Sequence, residues 1–467
     1  MVAIHDTELK EGIQKAIVKA KDLKRPILVS EVQAIEQVEP LSFFATGSQD
    51  YFGERFFWKD SSDEIFIVGI GISKDIQSDQ ATDRFFHVKK EWNGFLDDSI
   101  IINPFDIEGT GPAMFGGFTF DPLKGKTKLW EKFSDSTFHI PKFMYSMIKG
   151  QAYLTTNIVC TQHDDVSLLH KVWTERNHMM SNLAEAPYNS ENLLLSQTEI
   201  HPEQWMNTVD QVVGELKSEE MKKVVLARET RLRYEDPIKI EAVLANLLEY
   251  QKNSFIYAYE SNGDCFIGAS PERLVKKQGK NLFTTCLAGS IKRGQNQADD
   301  DVLGQELLTD EKNLEEHQYV VDMIKAAMEQ VSVKVKLPDQ PRLMKLRDIQ
   351  HLYTPVTAEA NADSSILQLI ERLHPTPALG GVPRTKAVEK IRELESLDRG
   401  MYGSPLGWLD YKGNGDFAVA LRSGLIQQNE ASIFAGCGVV KDSTAESEYQ
   451  ETKIKFRPML SALGGIE

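Results

Sequence analysis

Cysteine is scarce in this chain: Cys160, Cys265, Cys286 and Cys437 are the four, and no two form a C-x-x-C pair. That spacing excludes a structural zinc site and a disulfide scaffold and leaves free thiols in a reducing compartment. Long hydrophobic runs are missing as well. No apolar stretch approaches the roughly 18 residues that a membrane span needs, and the N-terminus, MVAIHDTELKEGIQ, is too polar for a signal peptide. The third absence is an excess of positive charge. Lys and Arg number 53 against 69 Asp and Glu, a formal net charge of −16. An acidic chain repels nucleic-acid phosphates and anionic lipid heads, so no nucleic acid and no membrane is expected as a partner. The expected location is cytoplasmic, and any anionic substrate needs local cations or a metal to overcome the background field.

What is present is a chain of 467 residues with 41% hydrophobic content, enough for two or three domains or one large layered one. Leu9, Ile13, Ala16, Ile17 and Ala20 form a helical stripe, which Pro26 ends before the strand ILVSEVQ. EIFIVGIGI and FGGFTF read as further strands. Gly69-Ile70-Gly71 lacks the third glycine of a dinucleotide loop, because position 74 is Lys74, and reads as a tight strand end. Residues 182–202 are polar and without period, which marks a boundary or long connection. Beyond it, Trp205, Val209, Val212, Val213 and Leu216 make an amphipathic helix, and Lys222–Arg228 a strand. SFIYAYE and DCFIGAS flank Asn262-Gly263, a hairpin signal, and a second hairpin is expected at Lys412–Gly415. Hairpins mean antiparallel sheet, so the expected class is α+β.

Several side chains could carry chemistry. Glu448, Glu451 and Lys455 are spaced three and four apart, which puts them on one face of a helix, beside the bare backbone of Gly436-Cys437-Gly438. The set suits a divalent cation holding an anion, or simply a solvated helix with a Glu451–Lys455 pair. Lys223, in an apolar strand, is a general base if buried, or a strand-end lysine reaching water. Glu272 follows Pro271 at a strand end, as a general acid or a surface turn residue. Glu316 lies at the edge of a stripe through Leu314, His317, Val321, Ile324 and Met328, and could complete a Mg²⁺ site, while His317 reads as packed. Arg422, in an expected strand DFAVALRSGLI, has small neighbours that leave space for a planar anion above the sheet, or it stands on a solvated sheet face.

Taken in order, these runs are similar to a known family. Lys-Val-Val-Leu-Ala-Arg (223–228), Gly-Ala-Ser-Pro-Glu (268–272), Leu-Ala-Gly-Ser (287–290), Glu316-His317, His351-Leu352-x-Thr354, His374-Pro-Thr-Pro-Ala, Arg422-Ser423, Ala-Gly-Cys-Gly (435–438) and Glu448-x-x-Glu451-x-x-x-Lys455 resemble the motifs of chorismate-utilising enzymes. Those enzymes include anthranilate, aminodeoxychorismate, isochorismate and salicylate synthases. The resemblance covers roughly residues 200–463, with weaker marks such as Phe115-Gly-Gly-Phe118 before it. It implies a two-lobed sandwich of large antiparallel sheets flanked by helices. Residues 1–195 would pack into the sandwich, and 196–467 would bind chorismate.

The resemblance also implies roles. Mg²⁺ would be held by Glu316 and Glu451, with Glu448 acting through water. Arg422 and Tyr402 would hold the enolpyruvyl carboxylate. Gly436, Gly438 and Lys455 would be further carboxylate contacts, and His351 would sit near the ring. Ser290, in place of the family's usual threonine, would lie beside the ring carboxylate, with Gly289 next to it. Ala288 stands where similar aminodeoxychorismate synthases carry a nucleophilic lysine, so water is left to attack. The expectation is an isochorismate synthase of the menaquinone type, with Lys223 as base and Glu272 as acid and no obligatory protein partner. Salicylate synthase and a siderophore-pathway isochorismate synthase stay open as alternatives.

Overall fold

The computed structural model describes residues 2–183, 192–218, 220–362 and 364–465. Its strands build two large, mainly antiparallel sheets. In the first, Ile27–Ile35 pairs with Gln151–Cys160, then come Ser136–Ile148, Ile65–Ser78, Arg55–Lys59, Phe255–Ser261 and Asp264–Ser270. Ser423–Gln427, Glu430–Val439 and Lys223–Tyr234 continue it. The second runs from the other end of Ser136–Ile148 through Ala113–Phe118, Pro405–Asp410, Gly415–Val419, Arg273–Gln278, Asn281–Lys292 and Ile349–Ala360. The long strands Ile65–Ser78 and Ser136–Ile148 therefore tie the sheets together.

Three apolar clusters fill the spaces this leaves. One, with Trp58, Phe115, Tyr257 and Trp408, takes side chains from both sheets and from no α-helix, so it is the layer between them. The second covers the outer face of the first sheet with helices that include Val2–Leu23, Ile240–Tyr250 and Ala445–Leu463. The third does the same for the second sheet with Arg84–Leu96, Glu311–Glu329 and Ile366–Leu373, and runs on to Pro202–Leu216, which packs on Lys223–Tyr234 and Glu430–Val439 of the first sheet. The fold is α+β, an antiparallel sandwich flanked by helices. Residue 195 lies inside the strand Leu194–Glu199, and pairings such as Phe57↔Ala258 and Phe115↔Trp408 join the parts on either side of it. Part of the expected boundary, residues 184–191, lies outside the described residues. Among the described residues no helix is long and apolar enough to cross a membrane.

Local chemistry explains the turns. Asn262 and Gly263 both take positive φ, 50° and 86°, as the primed turn between twisted strands demands. Two expectations are corrected. Gly69-Ile70-Gly71 does not end its strand, which runs on to Ser78; Gly71, at φ 67°, precedes a register shift at Ile72/Lys74 that bends the strand from one sheet toward the other. DFAVALRSGLI is not one strand either. Gly415–Val419 belongs to the second sheet and Ser423–Gln427 to the first, and the chain crosses between them with Arg422 at φ 49°. Alternation continues through the sequence, so the break is invisible there.

Candidate active site

Three elements set the chemistry. Helix Ala445–Leu463 begins where the Thr444 hydroxyl accepts the Ser447 N–H, and its first turns carry Glu448, Glu451 and Lys455. Helix Glu311–Glu329 begins where Asp310 accepts the Asn313 N–H at 2.8 Å, which fixes Glu316 one turn inside. Strand Lys223–Tyr234 opens on Lys223 and pairs with Glu430–Val439, so Gly436 faces Ala227 and Gly438 faces Val225. The two glycines are thus within a strand and not in an open loop. Their small size matters differently from the sequence expectation. A Cβ on Gly438 would lie 2.5 Å from Cε of Lys223, and one on Gly436 would lie 3.3 Å from the Tyr402 hydroxyl.

These elements enclose a cavity of about 260 Å³. Lys223, Glu272, Glu316, Glu448, Glu451 and Lys455 line it, as do Gly289, Ser290, His351, Arg422, Gly436 and Gly438. Tyr402 does not line it and packs behind Gly436, with its ring tilted against Phe434 at 5.5 Å between centroids. Ala288 is also in the wall, next to a bulge at Gly289, φ 76°, where the pairing slips between Ala288↔Leu352 and Ser290↔His351. His317 is packed, bridging the Ala288 carbonyl at 3.1 Å and the Thr354 hydroxyl at 2.8 Å. Sequence reasoning missed Lys312, Asn313, Ser447 and Cys437 in the wall. Lys312 stands one helical turn before Glu316, so its spacing was a usable signal.

The charges are arranged in pairs with a few members left over. Lys223 Nζ donates to Glu316 Oε1 at 2.6 Å. Burial would raise the Glu316 pKa, but the Lys223 ammonium overrides it and holds the carboxyl below its ordinary value. Lys455 Nζ reaches Glu451 Oε1 at 2.6 Å and the Gly436 carbonyl at 2.9 Å. Glu448 is raised by burial and by the neighbouring Glu451 charge. The Glu272 carboxyl is 3% exposed and, among the described residues, has no hydrogen bond or ion pair. Burial pushes it up to about 8 even though Arg422, Lys223 and Lys455 pull the other way, so it keeps its proton at neutral pH. The Arg422 guanidinium, buried and also unpaired among the described residues, is an open bidentate donor. Burial and the nearby Arg422 and Lys455 charges keep His351 neutral, and its Nε2 is buried without a partner.

Glu316, Glu448 and Glu451 offer hard oxygen donors in one cavity, the chemistry Mg²⁺ takes. Among the described residues no three acidic, histidine or cysteine side chains gather into a ready metal cluster, since Lys223 and Lys455 hold two of these carboxylates. Mg²⁺ is ordinarily bound by one or two carboxylates, water and substrate oxygens, so the donor set fits that ion without a closed protein cage.

A wall with an open guanidinium, a neutral imidazole and a protonated carboxyl beside an amine suits a small anionic substrate that undergoes proton transfer. The family comparison agrees: the chain belongs to the chorismate binding enzymes, matched over residues 13–464. It is 41% identical over 470 residues to isochorismate synthase MenF of Bacillus subtilis, covering 100% of this chain and 99% of that protein. It is 34% identical over 465 residues to the salicylate biosynthesis isochorismate synthase of Pseudomonas aeruginosa, covering 98% and 95%. Among solved structures, the menaquinone-specific isochorismate synthase MenF of Escherichia coli superposes with a TM-score of 0.78 over 97% of this chain and 100% of that one, at 22% identity. That last likeness speaks to the fold.

Proposed function

We propose that this chain is an isochorismate synthase that adds water to ring C2 of chorismate and expels the C4 hydroxyl, with Mg²⁺ as cofactor, in menaquinone biosynthesis. The observation that carries the reading is that Lys223 and Glu272 share one cavity in which position 288 offers only a methyl group. No protein nucleophile stands at that position, so water is the attacking group.

The residues divide the work by charge. Arg422 receives the enolpyruvyl carboxylate, with Tyr402 behind it. Lys455 and the Gly436–Gly438 strand contribute further carboxylate contacts, and Gly289 and Ser290 lie beside the ring carboxylate. His351, neutral, presents Nε2 to the ring. Lys223, once its contact with Glu316 has opened and its Nζ has released the proton it holds there, takes a proton from water as the oxygen bonds to C2. Glu272 gives its proton to the hydroxyl that leaves C4, a transfer its buried, protonated state favours. Glu316 and Glu451 would hold the metal, with Glu448 acting through water. When bound, Mg²⁺ supplies charge stabilisation at the ring carboxylate. Residues 1–195 serve as scaffold, 196–467 carry the site, and the protein works in the cytoplasm without an obligatory protein partner.

The test is incubation of purified protein with chorismate and Mg²⁺, followed by chromatography. Isochorismate is expected, and chelator should abolish it. Salicylate with pyruvate as the main product would instead favour salicylate synthase, and fluorescent anthranilate on adding ammonium would favour an amine-using enzyme.

A further inference from the structure

Strand Asn281–Lys292 does not pair evenly through residues 288–290. Gly289 takes positive φ, 76°, and the register against Ile349–Ala360 slips there. A bulge leaves its residue out of the ladder, so the backbone groups around it need partners from elsewhere. Here each partner is a side chain. The Ala288 carbonyl accepts from His317 Nδ1 at 3.1 Å; a carbonyl can only accept, so His317 carries a proton on that nitrogen. The Ser290 N–H donates to Asn313 Oδ1 at 3.3 Å. The Gly289 carbonyl is the acceptor set against the His351 imidazole.

Asn313 and His317 are on the helix Glu311–Glu329, on either side of Glu316. Both are themselves braced. His317 is buried and meets the Thr354 hydroxyl through Nε2 at 2.8 Å, and Asn313 Nδ2 donates to Asp310 Oδ1 at 2.7 Å. The helix also packs directly on the bulge: a Cβ on Gly289 would lie 3.2 Å from both Cβ and the carbonyl oxygen of Asn313. Beyond the bulge, Ser290 and His351 face each other across the two strands and line the catalytic cavity together with Glu316.

We propose that His317 and Asn313 are positioning residues, which clamp the 288–290 bulge from one helix and so hold Ser290 and His351 in place relative to Glu316. The inference rests on the reading of this cavity as a chorismate site. Bulges beside active sites re-aim side chains, and this one has no ladder of its own to keep it in place. With the clamp removed, Ser290 and the His351 ring lose their fixed orientation. Lys223 and Glu272 belong to other parts of the sheets and stay where they are. The defect is therefore one of substrate binding more than of proton transfer, and KM rises more than kcat falls.

The test uses the two nitrogens of His317 separately. An asparagine amide reaches where Nδ1 stands and a glutamine amide where Nε2 stands. His317→Asn therefore keeps a donor for the Ala288 carbonyl and gives up Thr354, and His317→Gln does the reverse. Each loses one buried hydrogen bond, so a merely structural residue would make the two variants alike. In calorimetry of the full chain with chorismate, His317→Gln should bind about tenfold more weakly and His317→Asn about twofold. Asn313→Ala, at a half-buried position, should weaken binding about fivefold, which covers a misfolded His317→Gln. NMR of protein with isotope-labelled histidine, without chorismate, reads the clamp directly. The His351 ring signal, identified by its loss in His351→Ala, should move in His317→Gln and Asn313→Ala and stay in His317→Asn. Equal losses of affinity in the two His317 variants would overturn the clamp, as would a His351 signal that stays put in both His317→Gln and Asn313→Ala. If wild type binds no chorismate, the function proposed above fails, and the His351 signal alone decides the clamp.

Discussion

Replacing Glu272 with glutamine tests the acid assignment through stability as well as through rate. Burial raises the carboxyl from 4.5 to about 8. The folded protein therefore holds this proton more tightly than the unfolded chain does. The group costs folding nothing below pH 4.5, and the penalty grows as the pH rises toward its folded value of about 8. At about 1.4 kcal/mol for each tenfold difference in proton affinity, the ionised carboxylate costs the folded state roughly 5 kcal/mol above both values. Glutamine keeps the shape and cannot ionise. In equilibrium urea unfolding, Glu272→Gln is expected to match wild type within about 1 kcal/mol near pH 5 and to exceed it by about 4 kcal/mol near pH 8.5. Turnover should fall by about a hundredfold or more, because an amide cannot donate the acid's proton. Wild-type turnover should itself decline as the pH passes about 8. A stability difference that is the same at both pH values would refute the buried, protonated carboxyl. An active glutamine variant would refute its role.

Two further substitutions probe the same cavity. Lys223→Ala is expected to abolish water addition, while calorimetry still detects chorismate binding; isochorismate formation at a measurable rate would remove Lys223 as base. Arg422→Ala is expected to raise KM for chorismate by about 10- to 100-fold, the worth of a charge-assisted contact, and an unchanged KM would mean the guanidinium does not meet the substrate.

The legible part of this protein was local. Three- and four-residue spacing on the helix that starts at Ala445 puts Glu448, Glu451 and Lys455 on one face, and the structure has all three lining one cavity. Asn262-Gly263 announced its hairpin because few residues tolerate two successive positive φ angles. Less visible were the crossing at Arg422 and the continuation past Gly71, since both keep a strand's alternation while the backbone changes direction. A non-glycine residue at positive φ costs on the order of 1 kcal/mol, and tertiary packing on both sides must hold it there.

Composition and periodicity determined the acidic balance, the free thiols and the α+β class, and the resemblance to chorismate-utilising enzymes picked out the ordered runs. Protonation states and partnerships waited for the tertiary structure. Lys223 and Glu316 stand 93 residues apart in the chain and 2.6 Å apart at their charged atoms. Glu272 holds its proton because the fold removed water from around it. Pattern is written in neighbours along the chain, whereas burial and charge pairing belong to neighbours in space, and those set which carboxyl keeps its proton.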